Sequence, residues 1–268
     1  MPARYPERIV CLTEETTETL YLIGEERRIV GISGYTVRPP RARREKPRVS
    51  AFLSARTEKI IELKPDLVLG FSDLQADIAR DLAKAGLNVV LFNQRSVDEI
   101  LSMVLTLSAM VGAERKGRQL IESLEANLQQ IRAAASRFPR KPRVYFEEWD
   151  EPMISAIRWV SELVAIAGGE DIFQEKSLSQ AASGRIVHDP DEVVKRTPDV
   201  ILGSWCGKKF RPERVAARPG WEAIPAVREN QLFEVKSAEI LQPGPAALTD
   251  GVRRIHEILS DFLGSSRA

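Results

Sequence analysis

The strongest constraint on the fold is a thirteen-residue segment that occurs twice in similar form. Residues 58–70 read EKIIELKPDLVLG, and residues 191–203 read DEVVKRTPDVILG, which align without a gap. Each copy is typical of a helix, a turn that contains Pro-Asp, and a buried strand. Because many α/β proteins contain such units, chance similarity is the alternative interpretation. A true repeat predicts two similar lobes with a ligand cleft between them.

The first half of the chain alternates apolar runs with helical segments. The predicted strands are residues 8–12, 28–32, 67–71 and 89–92. Strands that alternate with helices predict a mostly parallel sheet with helices on both faces. At 268 residues, the chain is long enough for two lobes of this kind. We therefore expect an α/β protein made of two doubly wound, Rossmann-like lobes.

Residues 114–138 form a third region with a different pattern. Leucine and isoleucine recur there at helical spacing, and Pro139 ends the pattern. A rigid helix of roughly 20 to 24 residues would measure about 30 to 36 Å, which is enough to join two lobes. The predicted domains are an N-terminal lobe over 1–113, a linking helix over 114–138 and a C-terminal lobe over 139–268.

The charge balance argues against nucleic acid as a partner. Lysine and arginine number 39 against 38 acidic residues, which gives a net charge of +1, whereas phosphate binding usually needs a basic excess. No apolar run approaches the roughly 18 to 20 residues that span a bilayer. The first residues contain no apolar export signal, so we expect either a cytoplasmic protein or one whose signal has been removed. Cys11 and Cys206 are too few for a disulfide framework and are expected to be free thiols.

Several segments together resemble the helical-backbone periplasmic binding proteins of ABC importers, with the cobalamin-binding and iron-chelate-binding members most similar. These segments are residues 8–12, 64–68, 167–173 and 219–235. The resemblance extends from about residue 8 to residue 263. It implies two lobes joined by one rigid helix, a ligand groove between them, no intrinsic cofactor and a monomeric chain.

The resemblance also implies a docking site for a transporter. In the family, one acidic residue at the top of each lobe contacts arginines of the permease. By motif position these residues would be Glu58 and Asp191, which the internal repeat superposes. The alternative is that both are ordinary first-turn acids, which the helix dipole favours.

Candidate ligand-binding residues lie in the loops that follow predicted strands, because those loops face the crevice of a doubly wound sheet. Aromatic rings there would suit the flat apolar face of a corrin or porphyrin, although core packing is the alternative for Phe52, Phe71 and Trp205. Trp159 and Trp221 are expected in the core. The predicted ligand-binding residues are Tyr35, Arg38, Phe52, Phe71, Glu148, Trp149, Asp150, Arg185, Trp205 and Lys208.

The acidic run over residues 147–151 is the least ordinary feature of the second half. Four carboxylates in five residues repel one another, so buried members need a cation beside them. Candidates are Arg158, Arg185, Lys208, Lys209, a cationic ligand or a metal. A solvated acidic loop is the alternative.

His188 and Cys206 are weak candidates for metal ligands, because no closely spaced ligand pair supports them. His256 lies on an apolar helix and is expected to be structural. The sequence contains no nucleophile elbow, phosphate loop or dinucleotide fingerprint, so no catalytic residue is predicted.

The favoured function is that of a substrate-binding protein for a metal chelate, most of all cobalamin, that works with an ABC importer. The first alternative is a cytoplasmic protein of the same fold that binds or delivers haem, a ferric siderophore or a nucleoside-like ligand. The least favoured alternative is a metal-dependent enzyme built on Cys206, His188 and the acidic run.

Overall fold

The computed structural model describes residues 5–51 and 54–265, and these form two compact units. The first unit extends to Gln94 and includes Asp98–Leu124, while the second comprises Arg95–Val97 and the chain from Glu125 onward. The division falls inside the longest helix. No helix of the described ranges is both long and apolar enough to cross a membrane.

The first unit is built on a five-stranded sheet in which every strand pair is parallel. Its order is β3-β2-β1-β4-β5, so the chain reverses its direction of travel across the sheet between β1 and β4. The strands are β1 (Ile9–Cys11), β2 (Ile29–Ser33), β3 (Arg48–Ser50), β4 (Leu67–Phe71) and β5 (Val89–Phe92). The helices are α1 (Glu14–Leu22), α2 (Ala42–Glu45), α3 (Thr57–Glu62), α4 (Ala76–Lys84) and α5 (Val97–Met110), and α6 (Glu114–Ala135) begins in this unit and continues into the second.

Both faces of this sheet are buried. Successive strand residues point to opposite faces, and Ile9, Cys11 and Leu69 enter one hydrophobic cluster. Val10, Leu12 and Val68 enter another. A parallel sheet with apolar residues on both faces needs helices on both sides, which explains the continuous apolar runs in the sequence.

The second unit contains a sheet in the order β10-β9-β6-β7, in which β8 also pairs with β6. Only the β6–β7 pairing is antiparallel among the described strand pairs of this sheet. The strands are β6 (Arg143–Asp150), β7 (Met153–Ser155), β8 (Glu170–Asp171), β9 (Val200–Gly203) and β10 (Leu232–Glu234). The helices are α7 (Arg158–Ile166), α8 (Gln174–Ser177), α9 (Pro190–Arg196), α10 (Pro212–Ala216), α11 (Pro225–Arg228), α12 (Ser237–Ile240) and α13 (Val252–Ser265).

The sequence repeat corresponds to a structural repeat. Its copies form α3–β4 in the first unit and α9–β9 in the second. Lys64 and Thr197, each directly before the proline, have positive φ angles of 47° and 44°. The two turns therefore share a left-handed backbone that non-glycine residues seldom adopt. The prediction of two α/β lobes joined through a long helix is confirmed.

Candidate functional site

The order of strands in the first unit points to its binding edge. In open α/β sheets, ligands bind beyond the carboxyl ends of the strands where the strand order reverses. Here that position lies between β1 and β4. Thr13, Glu14 and Glu15 follow β1, and Ser72 follows β4. We call these residues, together with Glu18 on α1, the switch-point edge.

Three glutamates of α1 are buried at this edge. Glu14 is 9% exposed, Glu15 is 1% exposed and Glu18 is 7% exposed. The Thr13 hydroxyl donates a 2.6 Å hydrogen bond to Glu15 Oε1, and Arg38 Nε lies 2.8 Å from Glu18 Oε1. An ionised carboxylate is seldom buried without a cation beside it. Arg38 supplies one positive charge for three buried carboxyl groups, so the cluster would carry an excess of negative charge if all three were ionised.

The pKa values of the first two glutamates reflect this environment. Burial, followed by the nearby charges of Glu15 and Glu18, raises the pKa of Glu14 to about 8, although Arg43 acts in the opposite direction. Burial also raises the pKa of Glu15 to about 7, against the hydrogen bond from Thr13. Desolvation disfavours the charged form of a carboxyl group. At neutral pH, protonated forms of these groups are therefore well populated.

The turn after β4 is strained. Ser72 has φ 62° and ψ 174°, a region that glycine almost monopolises. Its hydroxyl oxygen accepts a 3.2 Å hydrogen bond from the Leu74 amide, and Gln75 Oε1 accepts a 2.9 Å bond from the Phe71 amide. These bonds hold a buried polar turn beside the end of β1. Strained residues of this kind often lie at ligand sites.

The predicted ligand residues of the first unit differ in accessibility. Tyr35 is 54% exposed, whereas Phe71 is buried in the end of β4. Arg38 is partly exposed and is held by Glu18. Phe52 lies outside the described residues, so its predicted role stays a prediction.

In the second unit, the acidic run forms the end of β6 and has cations beside it. Glu148 pairs with Arg185 at 2.5 Å, and Asp150 pairs with Lys208 and lies 3.4 Å from Arg214. The predicted partners Arg185 and Lys208 are therefore confirmed. Arg158 instead pairs with Glu162 on its own helix at 2.9 Å, so its predicted pairing with the run is wrong. No ion pair is found for Lys209 among the described residues.

Glu147 is the most deeply buried member of the run, with no exposed surface. Its carboxylate accepts two hydrogen bonds from Arg218, at 2.6 and 2.9 Å. The Tyr145 hydroxyl and the Trp205 indole N–H each donate a further bond at 3.0 Å. Four donors on one carboxylate compensate for the loss of hydration, so this group belongs to the framework of the unit.

The structure places Trp205 in the core of the second unit. Its ring is 1% exposed and packs edge-on against Phe210, with 5.0 Å between the centroids. Trp205 lies two residues after β9, and its indole N–H donates a hydrogen bond to the buried Glu147 carboxylate. This burial argues against a direct ligand contact. Trp159 and Trp221 are buried too, as expected.

Trp149 and Lys208 remain partly accessible at the end of β6. The Lys208 ammonium lies 3.9 Å from the centre of the Trp149 ring, at cation–π distance. The Trp149 indole N–H donates to the Glu151 carbonyl at 2.8 Å. Arg185, Glu148 and Asp150, which were predicted to contact ligand, take part in the ion pairs described above, and their contact with a ligand stays a prediction.

His188 and Cys206 do not meet at one site with other ligands. Within residues 5–51 and 54–265, no group of three or more His, Cys, Asp or Glu side chains could hold a metal ion. Cys206 is an exposed thiol. His188 instead lines a cavity of about 530 Å³ together with Asp191, Met153 and several prolines.

Glu58 and Asp191 occupy equivalent places in the two units. Each lies in the first turn of its helix, α3 or α9, and each side chain is exposed. This arrangement agrees with the alignment of the sequence repeat.

Two groups of residues were not among the predicted site residues. The first is Glu14, Glu15 and Glu18; Glu14 and Glu15 lie in a predicted crevice loop after strand 8–12, but they were not chosen as ligand contacts. The second is Arg214 and Arg218, which pair with the acidic run across more than sixty residues of chain. No local pattern marks such a pairing.

Three kinds of similarity agree with this architecture. A family model described as "Periplasmic binding protein" matches residues 9–239. An uncharacterized ABC transporter substrate-binding lipoprotein of Bacillus subtilis is 26% identical over 261 residues, which cover 94% of this chain and 79% of the relative. The vitamin B12-binding protein of Vibrio cholerae is 26% identical over 260 residues, which cover 93% of this chain and 87% of that protein.

The fold is also similar to that of solved structures. The crystal structure of a possible iron-binding, periplasmic solute-binding protein from Staphylococcus epidermidis superposes with a TM-score of 0.80. The match covers 95% of this chain and 99% of that one, at 22% identity. At this identity the likeness shows the fold.

Proposed function

Because the chain belongs to the periplasmic binding protein family, we propose that it is the substrate-binding protein of an ABC importer for a metal chelate. A corrinoid is the ligand that we favour, since a relative named for vitamin B12 binding aligns with 93% of the chain. Haem and ferric siderophores are the alternatives. The chelate is cargo, and the proposal includes no intrinsic cofactor and no catalytic residue.

The observation that carries the proposal is the presence of accessible aromatic groups at the strand ends of both units. Tyr35 follows β2 in the first unit, and Trp149 is the last residue but one of β6 in the second. A flat apolar ring offers dispersion contacts to a macrocycle. Lys208 beside Trp149 adds a donor for polar substituents of the ligand. We propose that these three residues contact the ligand, with Arg38 as a further polar contact.

We also propose that Glu58 and Asp191 dock onto the permease. Both carboxylates are exposed in equivalent first turns, so each unit offers one negative charge to a basic partner. Exposed charges mainly steer association and fix its orientation. Substitution by glutamine would therefore slow complex formation with a permease and leave ligand affinity unchanged.

We place the protein outside the cytoplasm. One relative is named as a lipoprotein of an ABC transporter, which supports import. It does not support the alternative of a cytoplasmic delivery protein.

The test is titration of the purified protein with cyanocobalamin, haemin and a ferric catecholate, followed by tryptophan fluorescence. We expect cyanocobalamin to bind most tightly, with a dissociation constant below about 1 μM, or more than about 8 kcal/mol. If none of the three binds more tightly than about 100 μM, the proposed function is wrong.

A matched pair of tyrosine variants locates the contact. Tyr35→Ala should weaken cyanocobalamin binding by about tenfold, which corresponds to about 1.4 kcal/mol. Tyr5→Ala, which removes another half-exposed tyrosine, should leave the affinity unchanged. Equal effects of the two variants would argue against Tyr35 as a ligand contact.

A further inference from the structure

The switch-point edge contains more buried acid than its surroundings neutralise. Glu14, Glu15 and Glu18 lie within five residues of α1, and each is at least nine-tenths buried. Glu18 has Arg38 as its ion-pair partner. Within the described ranges, Glu14 has no hydrogen-bond or ion-pair partner, and the Glu15 carboxyl group receives its hydrogen bond from neutral Thr13.

The other groups that act on this pair are few. On α1, Glu18 adds negative charge to both carboxyl groups. From β1, Cys11 lies close to Glu15, and burial raises the pKa of its thiol to about 12, so the thiol stays protonated near neutral pH. In the segment that follows β2, Arg38 forms an ion pair with Glu18. Arg43 is exposed, and its charge lowers the pKa of Glu14 but does not act on Glu15. Within the described ranges, no cation lies against Glu15 itself.

We infer that Glu14 and Glu15 form a proton-holding pair, which keeps at least one proton at neutral pH and releases it as the solution becomes alkaline. Two adjacent buried carboxyl groups without a cation between them cannot both ionise without a large electrostatic penalty. The pair makes the switch-point edge less negative in its working state than its composition suggests. A protonated carboxyl group at that edge can then donate a hydrogen bond to an uncharged, electron-rich group of a ligand.

The sign of the effect on stability follows from the binding of protons. The folded chain retains protons on this pair at a pH where the unfolded chain has already lost them. Stability therefore falls as pH rises from the ordinary glutamate range, near 4.5, through the folded values of about 7 and about 8. At pH values below the ordinary glutamate range, both the folded and the unfolded chain hold these protons, and the pair does not destabilise the fold.

A link to ligand binding rests on the proposed function. A corrinoid that covers the switch-point edge would remove the remaining water from Glu14 and favour its neutral form further. Binding at mildly alkaline pH would then take up a proton. Affinity would fall as pH rises, by at most about tenfold per pH unit for one proton.

The decisive measurement on the ligand-free protein is infrared difference spectroscopy. Spectra of the wild type minus Glu14→Gln/Glu15→Gln, recorded between about pH 5 and pH 9, should show a protonated carboxyl band that persists near neutral pH and disappears above it. Glu62→Gln, which changes an exposed glutamate of α3, is the control and should leave the protonated carboxyl band of the wild type in place. If the pair is fully ionised at pH 7, the inference is overturned.

Thermal unfolding provides a second measurement. The midpoint of the wild type should fall between pH 5 and pH 9 more steeply than that of Glu14→Gln/Glu15→Gln, because glutamine cannot ionise. Glu62→Gln should follow the wild type. Equal slopes for the wild type and the double variant would contradict the inference.

Calorimetric titration with cyanocobalamin in buffers of different ionisation enthalpy tests the ligand link. We expect net proton uptake at about pH 7.5 in the wild type and none in the double variant. Binding without proton exchange in the wild type would overturn the link. If cyanocobalamin does not bind at any pH, the corrinoid proposal fails, while the infrared spectra still decide whether the pair holds its proton.

Discussion

At the scale of single residues, the buried carboxyl groups of Glu147 and Glu14 differ in the number of hydrogen-bond donors around them. Glu147 has four hydrogen-bond donors, two of them from Arg218. Glu14 has no described donor. A buried carboxylate that is fully paired can stay ionised, whereas an unpaired one takes up a proton instead. We therefore expect removal of a partner to matter most at Glu147.

Arg218→Ala should reduce the free energy of unfolding by about 3–5 kcal/mol, because it leaves the Glu147 charge buried without a cation. Urea denaturation of the purified variants would measure the change. Arg214→Ala removes a more exposed cation next to Asp150 and should cost less than about 1 kcal/mol. Similar losses for the two variants would show that the Glu147 pair is not the dominant interaction.

Lys208→Gln should lower the stability of the protein near neutral pH and weaken the dependence of that stability on acid pH. Burial raises the pKa of Asp150, but the hydrogen bond and charge of Lys208 outweigh burial and leave it below its ordinary value. A carboxyl with a lowered folded pKa contributes stability above its unfolded pKa and loses it as pH falls. Between about pH 3 and pH 6, the unfolding midpoint should change less in Lys208→Gln than in the wild type. Lys209→Gln is the control, and an equal effect there would contradict the assignment.

At the scale of elements, the central strands β1 and β6 begin with the same set of hydrogen bonds, from backbone amides to an aspartate and from an arginine to a carbonyl, which we call the clamp. Asp66 accepts hydrogen bonds from the backbone amides of Glu7 and Arg8, at 2.7 and 3.0 Å. Asp199 accepts a 2.7 Å bond from the amide of Arg143. The Arg8 guanidinium donates to the Leu63 carbonyl, and that of Arg143 donates to the Arg196 carbonyl. The Pro-Asp turn of the repeat thus fixes where β1 and β6 start.

Asp66→Ala and Asp199→Ala should each destabilise the protein by about 1–3 kcal/mol, because backbone amides lose their acceptors. Hydrogen exchange should accelerate at the amide of Arg8 in the first variant and at that of Arg143 in the second. Asp81→Ala, on the exposed face of α4, should change neither amide. A variant that folds normally with unchanged exchange at its own clamp would refute the role of that aspartate.

At the scale of the whole molecule, carboxyl groups with lowered and with raised pKa values act on stability in opposite directions. Asp150 in the second unit stabilises the fold above its pKa. Glu14 and Glu15 in the first unit destabilise it as they lose their protons. With a net charge of only +1, general charge repulsion is small near neutrality. These local terms therefore shape the dependence of stability on pH.

We expect maximum stability on the acidic side of neutrality, between about pH 4.5 and pH 7. Differential scanning calorimetry across about pH 3 to pH 9 would locate the maximum. Glu14→Gln/Glu15→Gln should raise the alkaline side of the profile and leave the acid side unchanged. A wild-type maximum above pH 8 would contradict the signs given to these groups.

The sequence by itself determined the α/β class, the two lobes and the helix between them. These features depend on local periodicity, since apolar runs of strand length and helical spacing are visible within a few residues of each other. The need for cations beside the acidic run was also visible, because four carboxylates stand together in the chain. The repeat predicted equivalent turns, and Lys64 and Thr197 adopt them.

Only the tertiary structure decided which polar groups are buried and which partners they have. Glu147 and Arg218 are 71 residues apart in sequence, and no periodic pattern spans that distance. Trp205 was a candidate ligand wall by position, yet its N–H is drawn toward Glu147 and its ring into the core. The charge deficit at Glu14 and Glu15 likewise arises from how β1, α1 and the segment after β2 pack together. Burial is a property of the assembled unit, so the protonation of these acids could not be derived from the chain alone.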